Sequence, residues 1–103
     1  VKVTIKKLGS EPAVVTDHQS REIDAVKLAL KAVFGKAAVL NRSGGSIPAA
    51  AHLKKLYNQP IVMTGFSPPG DNLHGPNENF YLPNFYKGIE AAIRIYANLG
   101  SLS

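Results

Sequence analysis

The sequence predicts an α/β fold, helices alternating with the short strands of a small parallel sheet, and three observations predict it. Apolar residues recur at helical spacing over about residues 21–34, 48–57 and 82–99. Between them lie two short apolar runs, residues 37–40 and 60–64, of strand rather than helix length. Each run leads through a glycine-bearing turn into the next helix, the order that right-handed crossovers between parallel strands produce.

Residues 1–6 (Val-Lys-Val-Thr-Ile-Lys) alternate apolar and polar side chains, as a strand with one wet face does, and Gly9 and Pro12 stop it. Residues 12–16 continue extended, and Asp17 or Ser20 can cap the helix that follows. In that helix Ile23, Val26, Leu30, Val33 and Phe34 share one stripe, while Arg21, Asp24, Lys27 and Lys31 face away. Glu22 and Asp24 suit the positive end of its dipole, and Gly35 can close it in the left-handed conformation.

Residues 41–48 (Asn-Arg-Ser-Gly-Gly-Ser-Ile-Pro) read as a strand-to-helix turn, with Ser46 as cap and Pro48 in the first turn of a helix to about Tyr57. After the second apolar run comes a loop from Gly65 to about Tyr81. The last helix carries an apolar stripe of Phe85, Ile89, Ala92, Ile93 and Tyr96 and a Glu90–Arg94 pair four residues apart, and Gly100 ends it. Ligands of parallel sheets gather beyond the carboxyl ends of the strands, so this topology sets Ser46 and His74 on one rim.

Composition narrows the function classes. With 103 residues and 45% apolar content the chain has material for one domain of modest size. Charged residues make up 18%, below the usual ~25%, which points to a surface partly covered by something else. The absence of cysteine excludes disulfides and thiolate metal sites. No apolar run of about 18 residues exists to span a membrane. No secretory leader opens the chain, and Val1 in place of an initiator Met is a small hint of processing or excision; the compartment stays open, with the cytoplasm favoured. The net charge of +5 is spread over Lys2, Lys6, Lys7, Lys27, Lys31, Lys54 and Lys55 without interleaved aromatic residues, so it reads as solvated faces and not as a nucleic-acid surface.

Two segments can carry chemistry. The loop of residues 65–78 holds three prolines, three glycines, two carboxylates and a histidine. His74 lies between Asp71 and Glu78, with Asn72 and Asn77 available to orient an imidazole or carboxylate, which suits a metal ligand and its supporting shell. A rigid solvent-facing loop with an idle histidine has the same composition, and one histidine is too few for a metal site. In the other segment, free N–H groups at a helix start beside Arg42 can hold a carboxylate or phosphate. An ordinary capped turn has the same sequence, and the spacing is not that of a nucleotide phosphate loop.

In order and spacing the two segments resemble the family of two-zinc metallopeptidases that includes aminoacylase, carnosinase and succinyl-diaminopimelate desuccinylase. Its members carry a stretch like Arg-Glu-Gly-Gly-Ser-Ile-Pro, matched here by Arg42-Ser43-Gly44-Gly45-Ser46-Ile47-Pro48. About twenty-five residues later they carry a stretch ending like Asp-Asn-Leu-His-x-Pro-Asn-Glu, matched by residues 71–78. Residues 12–17 look like the family's return from its inserted lid domain, so the resemblance covers nearly the whole chain. Ser43 departs from the pattern, which often has glutamate there.

The resemblance implies a fragment of a zinc-peptidase catalytic domain of phosphorylase/hydrolase-like fold. Residues 1–10 would be the last strand of the lid, or dimerisation, domain, and residues 11–103 the carboxyl-terminal part of the catalytic domain. It makes His74 a ligand of one of two zinc ions, Arg42, Gly45 and Ser46 the holders of the substrate's carboxylate or carbonyl end, and Asn72, Asn77 and Glu78 supporting residues. The implied activity is metal-assisted, carboxypeptidase-type cleavage of an amide bond in a small peptide or acylated amino acid. The family's His-x-Asp motif, bridging aspartate and Glu-Glu pair with the general base have no counterpart in this chain, and His18 and His52 read as surface histidines. The catalytic set is therefore empty here, and the expectation is a fragment inactive alone, without its zinc, that pairs with an amino-terminal half and lid in a homodimeric parent. Two other readings stay open: an anion-binding or interaction module using the Arg42–Ser46 turn without metal, and a structural remnant.

Overall fold

A computed structural model describes residues 1–7, 12–44 and 47–102. Helix α1 spans Arg21–Phe34. Ser20 caps it, its Oγ accepting from the Ile23 N–H at 3.3 Å, with Glu22 and Asp24 in the first turn and Lys31 in the last. Gly35 closes it at φ 71°, its N–H donating to the Lys31 carbonyl at 2.9 Å. Both ends lie where the cap residues predict.

Helix α2 spans Pro48–Tyr57, opens on a proline that needs no N–H there, and closes at Asn58 with φ 49°. Ser46, its expected cap, lies outside the described residues; Ile47 precedes the helix and supplies no side-chain cap. Helix α3 spans Leu82–Gly100, with a proline in its first turn. No helix among the described residues is long and apolar enough to cross a membrane.

The main part of the core is the contact between α1 and α3; Ala50 and Ala51 of α2 are buried too, though α2 packs on neither helix among the described residues. Ile23, Ala25, Val26 and Ala29 of α1 and Gly88 and Ala91 of α3 are buried, and the Asn98 Nδ2 reaches across to the Ala25 carbonyl at 3.0 Å. On α3 this corrects the expected inner face. Phe85, Ile89, Ile93 and Tyr96 point outward, Tyr96 with 77% of its surface exposed, and Ala92 alone of that stripe is half-buried. The reason is steric: the buried side of α3 is the side of its small residues, with Gly88 letting the Phe66 ring lie against the helix and Ala91 fully buried. The bulky stripe is left as an uncovered apolar face, in keeping with the low charged fraction.

The larger correction concerns the sheet. Among the described residues there are three helices and no strand, so the α/β fold with a small parallel sheet is not formed. Residues 37–40 and 60–64 run without regular structure, and no backbone hydrogen bond among the described residues joins them to each other or to residues 1–7 or 12–16. A strand exists only through a ladder to a neighbour, whatever its own propensity. Here the Thr16 hydroxyl donates to the Ile61 carbonyl, one side-chain bond where a ladder was expected. Val39 is 88% exposed and Met63 49%, not buried as a parallel sheet requires. The result is an open slab of 57 × 37 × 18 Å. Its radius of gyration is 16.8 Å, against about 13 Å for a compact domain of this length.

Candidate functional site

The loop between residues 65 and 81 is tied to the helix pair at its start. Phe66 stacks on Phe34 at the end of α1, with ring centroids 6.1 Å apart and planes at 11°, and the Lys87 Nζ lies 5.5 Å from the centre of the Phe34 ring. The same Phe66 ring lies against Gly88, where a Cβ would come within 2.9 Å of it. The Asn84 Nδ2 donates to the Phe66 carbonyl at 2.9 Å. At the far end Phe80 meets Phe85 edge to face, centroids 6.4 Å apart.

Within these anchors the chain makes a tight closed loop. The Asn79 N–H donates to the Asp71 carbonyl at 3.0 Å, and inside that closure the Gly75 N–H donates to the Asn72 carbonyl at 2.8 Å. Asn72, His74 and Asn77 hold φ of 51°, 63° and 59°, and Gly70 holds 141°. Asparagine and histidine are among the side chains that tolerate the left-handed region best, which is how a loop with this composition turns so often in few residues. Asp71 is 3% exposed, and its Oδ2 is buried with no hydrogen-bond partner. An orphaned buried oxygen costs about 1–3 kcal/mol, more if charged, so this carboxyl is a place where a donor gains much by arriving.

His74 sits at the tip, exposed, in the left-handed conformation, as an available nitrogen donor. Asn72 and Asn77 shape the loop through their backbone: the Asn72 carbonyl accepts from Gly75, and the Asn77 carbonyl accepts from the Asn79 Nδ2 at 3.2 Å. Glu78 is exposed. Arg42 is exposed on the segment between α1 and α2, in no ion pair with a described residue. Gly45 and Ser46, expected beside it, lie outside the described residues. No hydrogen bond or ion pair among the described residues joins Arg42 to the His74 loop. Cavities of 280 and 240 Å³ flank the helix pair, the first lined by Phe34, Phe66 and Asn84 and the second by Val26, Val62 and Ile95; neither His74 nor Arg42 lines them. Asp71, Phe66, Asn79 and Asn84 shape the loop and were not among the expected site residues. Asp71 stands inside the motif and was readable as a candidate; nothing in the sequence separates Asn79 from an idle loop asparagine.

The same two segments fall inside a match between residues 1–98 and the profile of peptidase family M20/M25/M40. The chain belongs to that peptidase family. No curated protein matches it, and neither does any solved structure. Within the two motif segments the donors of the kind zinc takes are the His74 imidazole and the Asp71 and Glu78 carboxylates. Zinc needs about four ligands, and no three His, Cys, Asp or Glu side chains converge among the described residues. The described residues therefore do not build a coordination shell by themselves.

Proposed function

We propose that this chain is the carboxyl-terminal part of the catalytic domain of a zinc-dependent peptidase or amidohydrolase, of the aminoacylase, carnosinase and desuccinylase kind, with residues 1–10 belonging to its lid. The observation that carries the reading is the family match over residues 1–98, which takes in both motif segments. The substrate is a small peptide or acylated amino acid whose amide bond is hydrolysed. A bound metal pair supplies the polarising charge and the activated water. This chain's residues hold and orient. His74 offers one neutral nitrogen to the metals, and Arg42 with the Gly45–Ser46 backbone binds the substrate's anionic end so that its carbonyl is correctly placed. The general base and the remaining ligands come from the rest of the gene product, which also covers the outward stripe of α3, and the whole works as a homodimer.

The test is kinetics and metal analysis on two variants of the intact gene product. Arg42→Ala removes a charge-assisted contact worth about 1.5–3 kcal/mol, so kcat/KM should fall roughly ten- to a hundredfold with zinc content unchanged. His74→Ala should lower zinc content and abolish most turnover. Zinc lost from Arg42→Ala and fully retained by His74→Ala would reverse the two assignments.

A further inference from the structure

We propose that Asn79 is the positioning residue of the His74 loop, an inference that rests on His74 being the metal ligand proposed above. Three hydrogen bonds converge on this one asparagine. Its N–H donates to the Asp71 carbonyl at 3.0 Å, and its Nδ2 donates to the Gly70 carbonyl at 3.3 Å and the Asn77 carbonyl at 3.2 Å. Residues 70 and 71 begin the closed loop and residues 77 and 79 end it, so the side chain fastens the two stems with His74 at the tip between them. The inner Gly75–Asn72 bond, and a backbone so close that a Cβ on Gly75 would stand 3.1 Å from the Asn72 carbonyl oxygen, leave little slack within the clamp.

The chemistry requires asparagine at this position. A primary amide has two protons on one nitrogen, enough for two carbonyls at once. Aspartate, of the same shape, would bring acceptor oxygens against those two carbonyl oxygens. Alanine would leave both carbonyls to water. The side-chain bonds are exposed, so they add little to global stability; their effect is local. What they hold is a histidine at φ 63°, a conformation that persists in a non-glycine residue only when its surroundings fix it. Partners that orient a metal-binding histidine typically change metal affinity ten- to a hundredfold, roughly, when removed.

The experiment compares Asn79→Asp, Asn79→Ala and His74→Ala in the intact gene product by two readouts: hydrogen exchange of the Gly75 amide without metal, and zinc affinity by competition with a chelator. Both Asn79 variants should exchange Gly75 about tenfold faster or more and bind zinc about tenfold to a hundredfold more weakly, with α1 amides as protected as in the parent protein. Unchanged Gly75 exchange and zinc affinity in Asn79→Asp, where His74→Ala still weakens zinc, overturns the positioning role and leaves the ligand assignment standing. Equal loss of protection throughout α1 makes Asn79 a general structural residue and overturns it too. Unchanged zinc binding in His74→Ala defeats the functional reading itself and this inference with it.

Discussion

The helix pair and the His74 loop are built on opposite principles. Between α1 and α3 the contact is made by apolar residues, Ile23, Ala25, Val26 and Ala29 on α1 and Ala91 on α3, with a hydrogen bond from Asn98 to Ala25, while Gly88 of α3 faces the Phe66 ring. In the loop the structure is made by backbone and amide hydrogen bonds around an almost fully buried aspartate, with hardly any apolar burial. The first arrangement resists change in volume, and the second resists change in donor and acceptor. Damage to one should therefore be read in global stability, and damage to the other in the placement of His74.

The largest effect on the helix side is expected from Ala91→Leu. Ala91 is fully buried at the α1 contact, and added methylenes in a packed core cost about 1–3 kcal/mol, occasionally more. A denaturant melt of the intact gene product should show a loss near the top of that range; an unchanged midpoint would mean that α1 and α3 do not pack through this face. A smaller loss, about 1 kcal/mol, is expected from Gly88→Ala. Alanine gains up to about 1 kcal/mol in helix propensity, but the new Cβ meets the Phe66 ring at 2.9 Å while that ring is stacked on Phe34. In a Phe66→Leu background the same change should become neutral or stabilising. Gly88 is also where the comparison can be sharpened, because Phe66 begins the loop: if Gly88→Ala speeds Gly75 amide exchange as well, the two regions are coupled through that ring.

What the sequence made legible follows the same division. Helices were readable because their signals are local: Ser20 caps α1, Gly35 closes it, a proline opens α2 and the 3.6-residue period fills the interior. The sheet was misread because strand formation is a property of pairs. Residues 37–40 and 60–64 have the composition of buried strands, and composition says nothing about whether a ladder partner stands beside them. The inner face of α3 was misread for a related reason, since periodicity ranks residues by bulk while the structure buries the small Gly88, under Phe66, and Ala91. At the candidate site the motif made His74 and its neighbours visible, and the family match takes in the same segment. The use of Asn72 and Asn77 as backbone formers, and the clamp at Asn79, depend on φ values and carbonyl directions that no spacing encodes.

The central claim is that this chain lends one ligand to a metal centre completed elsewhere in the protein. A calorimetric zinc titration of the metal-free intact gene product, beside its His74→Ala variant and the 103-residue chain alone, tests it most directly. The account predicts two tight equivalents for the intact protein, loss or marked weakening of one in His74→Ala, and no tight equivalent for the isolated chain, in which no three donor side chains converge among the described residues although zinc takes about four. Two tight equivalents retained in His74→Ala, or one bound tightly by the isolated chain, would contradict it.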